Sequence, residues 1–225
     1  MRDRAISGLA PLLLAAGLAG CGGGGGGNTG GLTSTSPDTT FTDTTNAYHA
    51  MATSVTGDTT TGSPGLAATT TMPSGTATFN GYAALLVGLP GDANPRLALV
   101  SPATLAADFA AGTVTGSASA FTGHPIDPAT YSYTGSASTY SGAIALSGGC
   151  IGTASGCTGT SNPQDVSATA TGTLTGGGNT VAVNHFLRGQ FYGNPLSAID
   201  LAGTSTAGTL NGAAATSSLD IVGTK

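Results

Sequence analysis

From residue 75 onward the chain alternates apolar and polar residues with a period of two. In "GTATFNGYAALLVGL" the odd positions are Ala77, Phe79, Gly81, Ala83, Leu85, Val87 and Leu89, and Thr76, Thr78, Asn80 and Tyr82 oppose them. "LALVSPATLAADFAAG" repeats the pattern with Leu97, Leu99, Ala103, Leu105, Ala107 and Phe109. "DVSATATGTLTG" sets Val166, Ala168, Ala170, Gly172 and Leu174 against five hydroxyl side chains. Side chains alternate across a strand, so each segment has one face for a core and one for water. Helices do not fit this pattern.

Turn signals recur at the spacing of antiparallel meanders: "GLPGDANPR", "AAGT", "TGHPIDP", "TGGGN" and "YGNP". They separate runs near 75–89, 96–109, 112–121, 130–136, 139–148, 165–175, 180–192 and 197–224, the last long enough for two strands. A soluble sheet of about eight strands manages its edges by closing or by folding into a sandwich, and closure alone removes them. The expected fold is therefore mainly β, an antiparallel eight-stranded soluble β-barrel over 75–225. Its inward positions are often small, as at Val114, Gly116, Ala118 and Ala120, which suits a narrow interior filled by Phe79, Phe109 and Phe191; the alternative is a ligand cavity. A transmembrane barrel would need an outward apolar band with aromatic girdles, and here the second face is Thr, Ser, Asn and Asp.

The chain before the barrel has a different texture. Residues 1–20 carry Arg2 and Arg4 ahead of "AISGLAPLLLAAGLAG", an apolar run short for a bilayer span and suited to an export signal. Leu18-Ala19-Gly20-Cys21 then resembles the bacterial lipobox. That resemblance implies cleavage before Cys21 and a palmitate-class acyl anchor on its thiol and amino group. Several acyl chains hold a protein on a membrane stably where one does not. Gly22, rather than Asp, after the cysteine implies sorting to the outer membrane. From 21 to 74 the sequence is dominated by Gly, Thr and Ser without a sustained period, and it reads as a lipidated, disordered tether. "AYHAMA" at 47–52 is a faint apolar patch that could pack back on the barrel, with His49 read as solvated.

Charge narrows the partners. Once Arg2, Asp3 and Arg4 leave with the signal, nine Asp face three cations, Arg96, Arg188 and Lys225. Such an acidic surface excludes nucleic acid, which asks for a basic stripe. Cys150 and Cys157 in "GGCIGTASGCTG" are expected to form a disulfide staple in an oxidising compartment. Neither a metal nor a redox motif surrounds them.

"HFLRGQFYGNPLSAIDLAGT" brings in a family. Gly189-Gln190-Phe191-Tyr192-Gly193, with Ala198, Leu201, Ala202 and Gly203, resembles the "G-x-F-Y-G-P-x-A-x-E-x-G-G" signature of the β-barrel domain of transferrin-binding protein B and related surface lipoproteins. "ADFAAGTVTGS" is similar to that family's "V-D-F-x-x-x-x-V-x-G" hairpin, "ATFNGYAAL" to its opening strand, and the final "IVGTK" to its closing "F-G-A-K". Asn194 stands where the family has Pro, with Pro195 one place later, and Asp200 stands near the expected Glu. The family protein has two lobes and this chain has room for one barrel, so transferrin binding is not carried over. The resemblance implies a cell-surface, outer-membrane lipoprotein that binds a host or envelope protein, or a small ligand of the haem or iron-carrier class.

Candidate chemistry is sparse. His49, His124 and His185 lie far apart in sequence. His185 shares the apolar face of "TVAVNHFLRGQFYG" and reads as a buried imidazole bonded to backbone, with haem ligation the alternative that the family implies. Asp127 near His124 in "GHPIDP" reads as a turn, and Arg188 as a cross-strand partner of Asp200. There is no G-x-S-x-G, no H-E-x-x-H and no phosphate loop. The expectation is a non-enzymatic binding protein without a cofactor or metal, its ligand-binding residues unassigned; the alternative is a structural envelope lipoprotein with no small-molecule ligand.

Overall fold

The computed structural model of the chain describes residues 35–58, 60–153 and 157–225. The expected export signal, the lipobox-like stretch ending at Cys21 and the glycine run lie outside the described residues.

The alternating runs form eight long strands: β1 (Thr76–Gly88), β2 (Leu97–Asp108), β3 (Thr113–Asp127), β4 (Ser138–Ile151), β5 (Asp165–Gly176), β6 (Asn179–Tyr192), β7 (Ala198–Leu210) and β8 (Ala213–Thr224). Each pairs antiparallel with the next in sequence, and β8 pairs back onto β1 from Thr216↔Gly88 to Thr224↔Asn80. The sheet is thus a closed up-and-down barrel without a free edge along its long strands. Eight strands leave a lumen just wide enough for side chains to fill. Phe79, Phe121, Phe191, Leu85, Leu99, Ile144 and Leu187 fill it. Away from α1 (Pro37–Thr56), the outer face is polar, with Thr115, Ser117, Thr171 and Thr173 exposed.

Strand assignment differs from the sequence reading in three places. The run 197–224, read as one strand or two, is two, turned at Asn211 and Gly212, both with positive φ. The run 130–136 is not a barrel strand; only Ser132–Tyr133 pairs, in a small hairpin with Ile126 and Asp127. β3 instead continues through "TGHPID" to Asp127, because a bulge at Ala120, with φ 59°, lets the ladder resume after a register shift. That bulge also reverses the alternation. Ala120 faces out and Phe121 faces in, so Phe121 and not Phe109 is the third ring buried with Phe79 and Phe191. Phe109 is only partly buried and packs on the rim against Phe191, 5.3 Å between centroids.

The larger correction concerns the tether. Residues within 37–56 form α1, capped by Ser36, whose Oγ accepts from Thr39 N at 3.2 Å, with Pro37 opening the first turn. Phe41, Thr45, Tyr48 and Val55 are buried on one side of α1, against an apolar patch on the outside of the barrel. The patch comprises Ala84 and the partly buried Tyr82 and Leu86 of β1, Ala98 and Val100 of β2, Ala198 of β7 and Val222 of β8. A Thr-rich segment has little helical propensity of its own, so this helix owes its stability to the surface it covers.

The chain after α1 is fastened as well. Leu66 N donates to Val55 O at 2.9 Å, Gly193 N to Ala67 O at 2.8 Å, and Thr69 N to Phe191 O at 2.9 Å. Thr69 Oγ1 donates to Gly193 O at 2.9 Å, and Thr70 N to Asn194 Oδ1 at 3.0 Å. Residues 67–70 are therefore stitched to the β6–β7 hairpin, which holds a cis Asn194–Pro195 bond.

Candidate functional site

The strand directions sort the loops into two ends. One end, called here the hairpin end, carries the connections 89–96, 128–137, 177–178 and 211–212; the other, the disulfide end, carries 109–112, 152–164, 193–197 and the final Lys225. α1 begins at the hairpin end, where Asp38 Oδ1 accepts from Ala137 N at 2.7 Å. It leads to the disulfide end, where 66–73 lies along the β6–β7 hairpin.

At the disulfide end Cys150 and Cys157 are joined, their Cα atoms 5.5 Å apart, as the sequence led us to expect. The bridge ties the start of the loop to β4. Asp165, buried at the start of β5, ties its close: Oδ2 accepts from Ser161 N at 2.8 Å, Asn162 N at 2.9 Å and Asn162 Nδ2 at 3.0 Å. Beside this loop, the Arg188 guanidinium lies 5.3 Å from the ring centroid of Phe186, an exposed aromatic residue on the outer face. An open groove of about 380 Å³ runs between Thr70–Pro73 and Asn194–Leu196.

The G-x-F-Y-G residues have evident structural work here. A Cβ on Gly189 would collide with the carbonyl of Asp200 on β7. Phe191 enters the core, and Gly193, with φ 91°, makes the turn. Their exacting geometry positions the hairpin rather than supplying a reactive group.

The histidines are separate in space as well as in sequence. His185 is fully buried in the lumen, as expected, with Nε2 2.8 Å from Ser217 Oγ and the Gly203 backbone beside the ring. Burial lowers its pKa, which favours the neutral ring. A sealed imidazole committed to Ser217 does not present itself to a haem. His49 is not solvated: it sits on α1 with its ring 5.2 Å from Tyr48, and burial lowers its pKa. His124 packs against Phe41 and Tyr133, with Nε2 3.8 Å from Asp38 Oδ1. Asp127 caps a turn by accepting from Ala129 N at 2.8 Å and Thr130 Oγ1 at 2.9 Å, which is the structural role expected of it. Among the described residues, no three His, Cys, Asp or Glu side chains gather closely enough to hold a metal ion.

One cluster went unnoticed in the sequence. Asp200 faces Gln190 across the β6–β7 ladder, and Arg188 faces Ala202, two pairs further along. Asp200 and Tyr48, the latter descending from α1, both interact with Asp220 on β8. These three residues are far apart in sequence and carry no spacing motif. The available signal was indirect: "YAALLVG" and "LALV" are apolar at nearly every position, which marks strands buried on both faces and so something lying over the barrel.

Compared with known proteins, the chain matches no protein-family model, no curated protein and no solved structure.

Proposed function

We propose that this chain is a bacterial outer-membrane lipoprotein of the transferrin-binding protein B-like class. It is held by acyl chains on Cys21 and displays its barrel at the cell surface as a non-catalytic binding protein. Its ligand is a host or envelope protein, or a small molecule of the haem or iron-carrier class, taken by the loops of the disulfide end.

The observation that carries this reading is the filled lumen. With Phe79, Phe121 and Phe191 packed inside, binding falls to the outside of the barrel. The disulfide end supports it best, since Cys157, residues 161–162, the β6–β7 hairpin and residues 67–70 are each fastened there by covalent or hydrogen-bonded ties. Fastened loops lose less entropy on binding than free ones. The path of the chain supports a distal position for this end. Fourteen peptide links separate Cys21 from Thr35 and reach at most about 50 Å. They arrive at the hairpin end, and the 20 residues of α1 then extend about 30 Å away.

Anchoring is tested by mass spectrometry of the mature amino terminus, where an acylated Cys21 is expected and an unmodified one overturns the anchor. Protease shaving of intact cells tests the surface position. Ligand binding is tested by pull-down from host and envelope extracts, with absorbance scanning after haem addition. A specific partner whose capture fails on replacing the 152–164 loop is the expected result. No retention of either class, together with a loss of envelope integrity on deletion, would favour the purely structural role.

A further inference from the structure

The acid cluster under α1 goes beyond the binding role and does not depend on it. Asp200 and Asp220 lie on the outer face of adjoining strands, and Asp220 is opposite Ala202, so the two acids are one diagonal step apart. Outward acids on a sheet normally meet water. Here α1 crosses above them, and the surrounding outward residues are Ala84, Tyr82, Ala198 and Val222.

Within this cover Tyr48 and Asp200 both interact with the Asp220 carboxyl, and Asp220 Oδ1 is sealed from solvent without a hydrogen-bond partner. Two carboxylates one diagonal step apart under an apolar cover repel each other and lose solvation when both are ionised. Docking of α1 therefore favours a proton on the pair, which full ionisation removes.

The other ionisable groups around the pair are few. α1 contributes Tyr48 and His49; β1 contributes Tyr82; β6 contributes Tyr192 and Arg188, whose guanidinium lies over Phe186. β2 contributes only Ala98 and Val100 to this interface. β3 contributes His124, beside Asp38 at the other end of α1.

We propose that α1 is an acid-fastened strap, held on the barrel while the Asp200–Asp220 pair keeps a proton and loosened when the pair ionises fully, baring the apolar outer face of β1, β2, β7 and β8. Burial raises the Asp220 carboxyl from 3.8 to about 6. A pKa raised in the docked state gives a hold that is complete below about pH 4 and lost as pH rises through about 6. His49 acts in the opposite sense, since burial lowers its pKa and acid then disfavours docking. The His49→Gln background isolates the carboxyl effect.

The test is amide hydrogen exchange of α1 in the full chain, at about pH 4.5 and about pH 7.5, corrected for intrinsic exchange. In His49→Gln the opening constant of α1 is expected to rise about 25-fold between these conditions, with barrel amides unchanged. Adding Asp220→Asn should abolish most of that rise. A flat profile in His49→Gln, or a rise that survives Asp220→Asn, overturns the strap. Should Asp220→Asn not fold, carboxyl-carbon NMR of the unsubstituted chain serves: Asp220 and the α1 amides are expected to titrate together near pH 6, and separate midpoints overturn the proposal.

Discussion

Tyr48 on α1 and Asp220 on β8 interact across the helix–barrel interface, where burial first and the outward-pointing Asp220 carboxyl second push the phenol's pKa up. Their contact joins a segment that precedes the barrel to the last strand of it. Tyr48→Phe keeps the ring in place and deletes the hydroxyl, leaving the partly covered acid without that neighbour. We expect docking of α1 to weaken by about 1–3 kcal/mol. Hydrogen exchange should show faster α1 amides over an unaltered barrel; uniform loss of protection throughout the chain would place the hydroxyl's effect elsewhere.

Phe121 and Phe109 provide a test of the bulge at Ala120. Phe121 is 1% exposed in the lumen, whereas Phe109 sits on the rim. Phe121→Ala is expected to cost about 3–5 kcal/mol of stability and Phe109→Ala distinctly less. Urea denaturation of the two variants settles the order, and a larger loss for Phe109 would contradict the register after Ala120.

The Cys150–Cys157 bridge closes a short loop. By loop-closure entropy its removal costs about 2–3 kcal/mol. The double serine variant and the reduced wild-type protein should therefore unfold at the same, lower urea concentration. Because Asp165 independently gathers 161–162, the barrel is expected to remain folded in both.

At the hairpin end, Arg96 Nε lies 2.6 Å and Nη2 2.8 Å from the two oxygens of Asp92, and Leu89 N donates to the same carboxylate at 2.8 Å. The bond from Arg96 first, and that from Leu89 second, lowers the Asp92 pKa to about 2. A depressed carboxyl pKa means that the turn's support is present above about pH 4 and lost as pH falls through about 2. Carboxyl-carbon NMR should find that midpoint, and Arg96→Gln should move it back toward the ordinary Asp range. No movement would mean that Arg96 does not set it.

The barrel strands were legible because burial on one face forces a period of two, and "DVSATATGTLTG" and "TVAVNHFLRGQFYG" keep it from end to end. β3 was legible only to Phe121. A bulge adds a residue without a signature of its own, and the proline and glycine in "TGHPID" imitate a turn. The disulfide was legible from two cysteines a loop apart. The acid cluster was not, since Tyr48, Asp200 and Asp220 become neighbours only when β7 and β8 pair and α1 crosses them.

The sequence by itself determined that the chain from residue 75 makes a closed antiparallel sheet, because alternation is a local property that each strand carries within itself. Only the tertiary structure decided that 37–56 is a helix and not a tether. Its Thr-rich residues make no stable helix alone, and they become one by covering Ala84, Ala98, Val100 and Val222, an apolar surface that exists only after barrel closure has brought β8 beside β1.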